Sequence, residues 1–132
     1  MDVVCLLVAG VVRATLPEPE FTLEWQHSVE KVRWEERYRV DGDHLVLAEA
    51  RVAGSGAGME PPPGAVLNAG EWSWQPRRVL PELPLTYSTF TRDYRLCWRH
   101  ACRDLGALAG PLAEGTVVVV RPCARGTAAS PP

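Results

Sequence analysis

His27 and Glu36 are the residues whose types and positions most directly suggest chemistry. Each lies in a stretch that alternates apolar and polar side chains, and each falls on the apolar side. In Phe21-Thr-Leu-Glu-Trp-Gln-His27 the apolar positions are Phe21, Leu23 and Trp25, and His27 continues their face. From Val32 to Val40 the inward positions are Val32, Trp34, Tyr38 and Val40, and Glu36 stands among them. If the two strands form a hairpin through residues 28–33, His27 opposes Trp34, Trp25 opposes Glu36, and the imidazole and the carboxylate become diagonal neighbours. A carboxylate on an apolar face is costly unless it is paired. A His27–Glu36 interaction walled by Trp25, Trp34 and Tyr38 resolves that cost. Two roles are open to such a pair: a satisfied structural contact, or the titratable part of a pocket that meets a ligand or a metal.

Ser28 follows His27, but neighbouring strand residues point to opposite faces, so this histidine is badly placed to activate this serine. Gly54-Ser55-Gly56 has neither the spacing nor the following helix of a nucleophile elbow. No catalytic motif emerges, which leaves an unrecognised hydrolase as the third functional reading behind two binding roles. The segment Gly54-Ser55-Gly56-Ala57-Gly58-Met59, continuing through three prolines to Gly64, cannot form a regular element. It lacks the Gly-Lys-Ser/Thr ending of a phosphate cradle, and prolines stand where the anion-holding helix would begin. A backbone nest, a partner-contacting loop and a plain connection all stay open.

The four cysteines carry the second chemical signal. Cys5 lies in the first candidate strand, Cys123 just after the last, and Cys97 and Cys102 enclose four residues. Four cysteines allow three pairings, and this placement favours Cys97 with Cys102 and Cys5 with Cys123, hence an oxidising compartment. Four buried thiols in a cytoplasmic protein are the alternative. Cys97, His100 and Cys102 also offer three ligand types within six residues, but not the paired spacing of a tetrahedral zinc site, so no metal and no cofactor is expected.

Short β-rich runs between turn signals must position these groups. Strands are expected at 3–8, 11–16, 21–27, 32–40, 44–52, 65–67, 71–74, 85–87, 94–98 and 116–121, with one helical turn at 104–109. That pattern predicts a single all-β domain over residues 1–123, an antiparallel sandwich or a barrel-like sheet, followed by a flexible tail over 124–132. The N-terminal residues read either as a first β-hairpin or as a signal segment, for which Asp2 is the wrong charge. With 132 residues, 46% of them hydrophobic, the chain has enough apolar material for one core. Its net charge of −2 argues against a nucleic-acid partner, and thirteen scattered arginines against a single lysine form no basic patch. The apolar run Val3 to Val12 is about half of the roughly 20 residues a spanning helix needs.

Phe21-Thr-Leu-Glu-Trp-Gln-His27-Ser28-Val29-Glu30-Lys31, Trp34-Glu35-Glu36 and Gly54-Ser-Gly-Ala-Gly58-Met59, with the late Leu-Cys-Trp and Arg-Pro-Cys, resemble the bacterial domain-of-unknown-function family 1850. The resemblance implies a small accessory domain encoded beside TRAP-type solute transporters of the TAXI class, with no established activity. Expected partners are the transporter subunits or the solute-binding protein, and the expected location is the periplasm or cell envelope. His27, Ser28, Glu30, Trp34, Glu36 and the loop residues Gly54, Ser55, Gly56, Gly58 and Met59 are the candidate binding residues. A non-enzymatic binding module is the leading expectation, with a ligand or metal site at His27 and Glu36 as the alternative.

Overall fold

Apolar runs separated by two-residue turns fold back as antiparallel hairpins. In the computed structural model, which describes residues 2–26, 32–53, 61–124 and 126, β1 (Val3–Val8) pairs with β2 (Val11–Leu16). Ala9 and Gly10 take positive φ values of 50° and 79°, as a type I′ turn between twisted strands demands. The chain crosses at Pro17–Pro19 to a second sheet, where β3 (Glu20–Gln26), β4 (Arg33–Asp41) and β5 (His44–Ala53) form a meander. β6 (Val66–Asn68), β7 (Glu71–Trp74) and β8 (Arg78–Leu80) extend the far side of β5. β9 (Leu83–Thr86) returns to the first sheet, and β10 (Arg95–Trp98) and β11 (Ala101–Asp104) add to the second beside β3. After a short helix, α1 (Leu105–Ala109), β12 (Val117–Cys123) completes the first sheet.

The strand orders are β2-β1-β12-β9 and β11-β10-β3-β4-β5-β7-β6, with β8 pairing β5 off that path. Both sheets are open and antiparallel among the described residues, so the sandwich-like form of the all-β expectation holds and the barrel-like one does not. Val4, Leu6, Leu16, Leu85, Val118 and Val120 from the first sheet meet Phe21, Leu23, Tyr38, Leu45, Leu47 and Leu96 from the second, and Leu105 and Ala109 of α1 join the same core. β1 lies between β2 and β12 and is buried on both faces, with Val3, Cys5 and Leu7 as covered as Val4 and Leu6. Its sequence is accordingly a continuous apolar run without alternation.

Two strands escape the sequence pattern. β8 is three residues between prolines, and β11 is the return arm of a hairpin whose turn lies inside the Cys97 to Cys102 interval. β9 begins two residues earlier than expected and contains Pro84, which it tolerates as the edge of its sheet. The helix is held at a distance: Asp104 makes no side-chain cap, and Asp93 Oδ2 instead accepts the Gly106 N–H at 2.8 Å. Burial raises the Asp93 carboxyl pKa even though the Gly106 and Tyr94 N–H groups pull it down. Asp93→Ala should therefore behave as a cap deletion and lower stability by about 1 kcal/mol in a urea melt.

Both expected disulfides are present, Cys5–Cys123 and Cys97–Cys102, with sequence separations of 118 and 5. The first ties β1 to β12 diagonally across the buried outer face, because Cys5 lies opposite Arg121 and Val3 opposite Cys123. The second joins directly opposed residues of the β10–β11 hairpin. Chain entropy makes these bridges unequal. Replacing Cys5 and Cys123 by serine should cost about 5 kcal/mol, and replacing Cys97 and Cys102 about 2 kcal/mol. Denaturant midpoints of the two double variants check that order, and the oxidised wild type should weigh four hydrogens less than its reduced form.

Candidate functional site

Three rungs across the inner face of the second sheet build the site. One runs Trp25, Trp34, Val52, Trp72; the next Leu96, Leu23, Glu36, Ala50, Trp74; the third Phe21, Tyr38, Leu47, Arg78. Glu36 is the charged residue of the middle rung, between Leu23 and Ala50, each 2% exposed. The alternation of β4 puts it there. The alternation of β5 alone would not match it, since Leu47 and Ala50 are an odd number of residues apart. The pairing shifts by one residue between Arg37 and Tyr38, leaving Ala48 as the extra residue of a bulge, and this returns Ala50 and Val52 to the inner face.

The register of β3 on β4 differs from the expected one by two residues. Trp25 opposes Trp34 and Leu23 opposes Glu36, where the sequence pattern suggested His27 opposite Trp34 and Trp25 opposite Glu36. Both registers leave a six-residue connection, and a slip of two keeps every side chain on its own face. Aromatic pairing accompanies the observed choice: Trp25 stacks on Trp34 and Phe21 on Tyr38, each with ring centroids 5.3 Å apart. The diagonal neighbour of Glu36 is consequently Trp25, whose indole Nε1 donates to Glu36 Oε1 at 3.0 Å. The Tyr38 phenol also hydrogen-bonds the carboxylate.

These groups line a cleft of about 350 Å³ between the sheets, where the chain crosses from β8 to β9. Leu23, Leu47 and Leu85 form its floor, Trp25 and Tyr94 stand beside Glu36, and Arg78 and Glu82 reach it from exposed positions. Burial is the largest influence on Glu36 and pushes its pKa above the ordinary 4.5, against the pull of Trp25, Tyr38 and Arg78. Burial, then the Glu36 charge and hydrogen bond, push the Tyr38 phenol far upward, and burial with the same charge raises Tyr94. A larger hollow of about 540 Å³ opens at the ends of β3 and β10. There Arg33, Arg92 and Arg95 balance Glu24, Asp93 and Asp104, and Asp93 is already engaged as the cap of α1.

Of the sequence candidates, the structure brings Trp34 and Glu36 to one face. Trp34 does not line the cleft: it packs between Trp25 and the edge of Trp74, at 5.3 and 5.9 Å. His27, Ser28, Glu30, Gly54, Ser55, Gly56, Gly58 and Met59 lie outside the described residues. The strand ends Gln26, Arg33 and Ala53 that adjoin them are at one end of the second sheet, with Trp34 opposite Val52. The sequence reading missed Arg78 and Glu82, from β8 and the connection after it, and Tyr94, which immediately precedes β10, and it missed that Trp25 is a donor as well as a wall. Glu24 Oε2 comes within 3.6 Å of Cys97 Sγ, and with Cys102 these atoms sit at metal-ligand spacing. The two sulfurs are bonded to each other, so that trio holds one carboxylate and no thiolate.

Residues 21–105, more than half of the chain, match the family described as Domain of unknown function (DUF1850). The chain belongs to the DUF1850 family. No curated protein and no solved structure matches it significantly. The family match spans β3 through β11 and the first residue of α1, and so contains every residue lining the Glu36 cleft.

The raised pKa of Glu36 has a signed consequence for stability. Between the ordinary carboxylate value and the raised folded value, the folded chain binds more protons than the unfolded one, so stability contributed by this group falls as pH rises. Below that interval both states are protonated, and above it both are ionised. Glu36→Gln keeps shape and hydrogen bonding but removes this titration. The urea midpoint of Glu36→Gln relative to wild type should therefore climb as pH rises from about 4, then level off; a falling difference would mean that the folded state favours the carboxylate. Glu36→Ala strands the Trp25 and Tyr38 donors and should cost about 1–3 kcal/mol at any pH in that range.

Proposed function

We propose that this DUF1850 chain is a non-catalytic binding module working outside the cytoplasm, which takes a small ligand into the Glu36 cleft and serves a membrane transport system. The observation that carries the ligand role is the Glu36 carboxyl itself, a group kept at a desolvation cost in an open cleft with apolar walls. A purely structural position between Leu23 and Ala50 would be filled at lower cost by an apolar side chain. The groups around Glu36, an indole N–H, two phenols and a guanidinium, provide orientation and charge but no nucleophile with an adjacent base, which supports binding over catalysis.

Two disulfides support an oxidising compartment, the periplasm or cell envelope. The family resemblance supports TRAP-type transporter subunits or their solute-binding protein as partners. Tagged protein isolated from its own membranes should bring down those subunits. In native mass spectrometry it should carry a small-molecule adduct that Leu83→Trp, which fills the cleft from its rim, excludes. Wild-type protein that carries no adduct and captures no transport protein would overturn this reading.

A further inference from the structure

The charges of the cleft are not balanced. Among the described residues of the lining, Glu36 and Glu82 stand with one guanidinium, Arg78, so with Glu36 ionised those residues carry one net negative charge. The remaining walls are leucines, Pro84 and three aromatic side chains, Trp25, Tyr38 and Tyr94. A metal cation of the hard type needs six or more oxygen ligands, and this lining supplies one buried carboxylate. An organic ammonium needs less: one carboxylate for its charge, aromatic neighbours that attract cations, and apolar surface for its body. From the cleft's lining we infer that it binds a small organic cation, a protonated amine with an apolar body, with the ammonium paired to Glu36; this rests on the cleft being a ligand site.

Pairing also removes the penalty that burial imposes on the carboxylate, so the ligand and a proton compete for the same group. Tyr38 and Trp25 hold the carboxylate in place from within the second sheet. Arg78, exposed at the mouth, opposes a cation, while Glu82 attracts one.

Three probes of one size separate charge from shape: benzylamine, benzyl alcohol and benzoate, titrated calorimetrically into the full chain at pH 8. Benzylamine is expected to bind roughly tenfold tighter than either of the others, a preference that shrinks as pH falls through the Glu36 titration. Glu36→Gln should reduce benzylamine to the level of the alcohol. Arg78→Gln should strengthen benzylamine several-fold, and because Arg78 is exposed on a short strand this variant keeps the test decisive if Glu36→Gln fails to fold. Benzoate or the alcohol binding as well as benzylamine, with Leu83→Trp blocking them, would overturn the cation assignment and leave the ligand site standing. If none of the three binds by about 10 mM, the assignment also fails, while the adduct measurement still decides the site.

Discussion

The burial of one carboxyl among leucines is the constraint on which the cleft between the sheets depends. Glu36 sits on a rung whose other described members are Leu96, Leu23, Ala50 and Trp74, so nothing beside it in the strand direction of pairing can neutralise it. Its compensation comes from one rung away on either side, from Trp25 and Tyr38. Tyr38 reaches the carboxylate along β4 itself, and Trp25 reaches it diagonally from β3 in the register that pairs Trp25 with Trp34 and Phe21 with Tyr38. The same register therefore sets both the aromatic stacking and the diagonal Trp25–Glu36 hydrogen bond, and a slip of β3 against β4 would break the Trp25–Trp34 and Phe21–Tyr38 stacks.

The bulge in β5 is the second condition. It allows Leu45 and Leu47 to pack in the core between the sheets while Ala50 and Val52 continue the same face toward the tryptophans. Small Ala50 beside Glu36 leaves room that a larger residue would fill, and β8 then pairs with β5 alongside Leu45 to Leu47 and brings Arg78 to the cleft. The chain crosses from β8 to β9 through Pro81, Glu82 and Leu83, at the place where the two sheets part. The cleft is therefore a product of the crossover, with Leu80 and Leu83 packed against the core and exposed Arg78 and Glu82 beside them.

Local patterning made much of this legible. β4 has no inserted residue of its own, so its alternation placed Glu36 on the aromatic face, and the cysteine positions suggested both bridges because one pair sits in the first and last strands and the other closes a short interval, and in each case the strands pair. Register was not legible to the residue, since two registers of equal loop length preserve the same faces and differ only in which aromatics meet. The Trp25 donor to Glu36 was missed for that reason: an indole N–H becomes the diagonal donor once the register is fixed, while His27 lies outside the described residues. Arg78, Glu82 and Tyr94 carry no local signal at all. They are brought to Glu36 by pairings between segments more than thirty residues apart in sequence, which periodicity within a strand does not encode.

The division between rigid and chemical parts follows from these same contacts. The long bridge, Cys5–Cys123, fixes the first sheet, and the short one, Cys97–Cys102, fixes the hairpin that flanks β3; neither touches the cleft. Constraint is thereby concentrated on the middle of the first sheet and on one end of the second, while Glu36 is held by hydrogen bonds that respond to its charge. On the proposed reading, a carboxyl whose protonation alters its stability cost, placed in a scaffold cross-linked elsewhere, exchanges its proton for a ligand's charge. The energy of the recognition proposed for the cleft then comes from relieving a buried charge rather than from folding the site around its ligand.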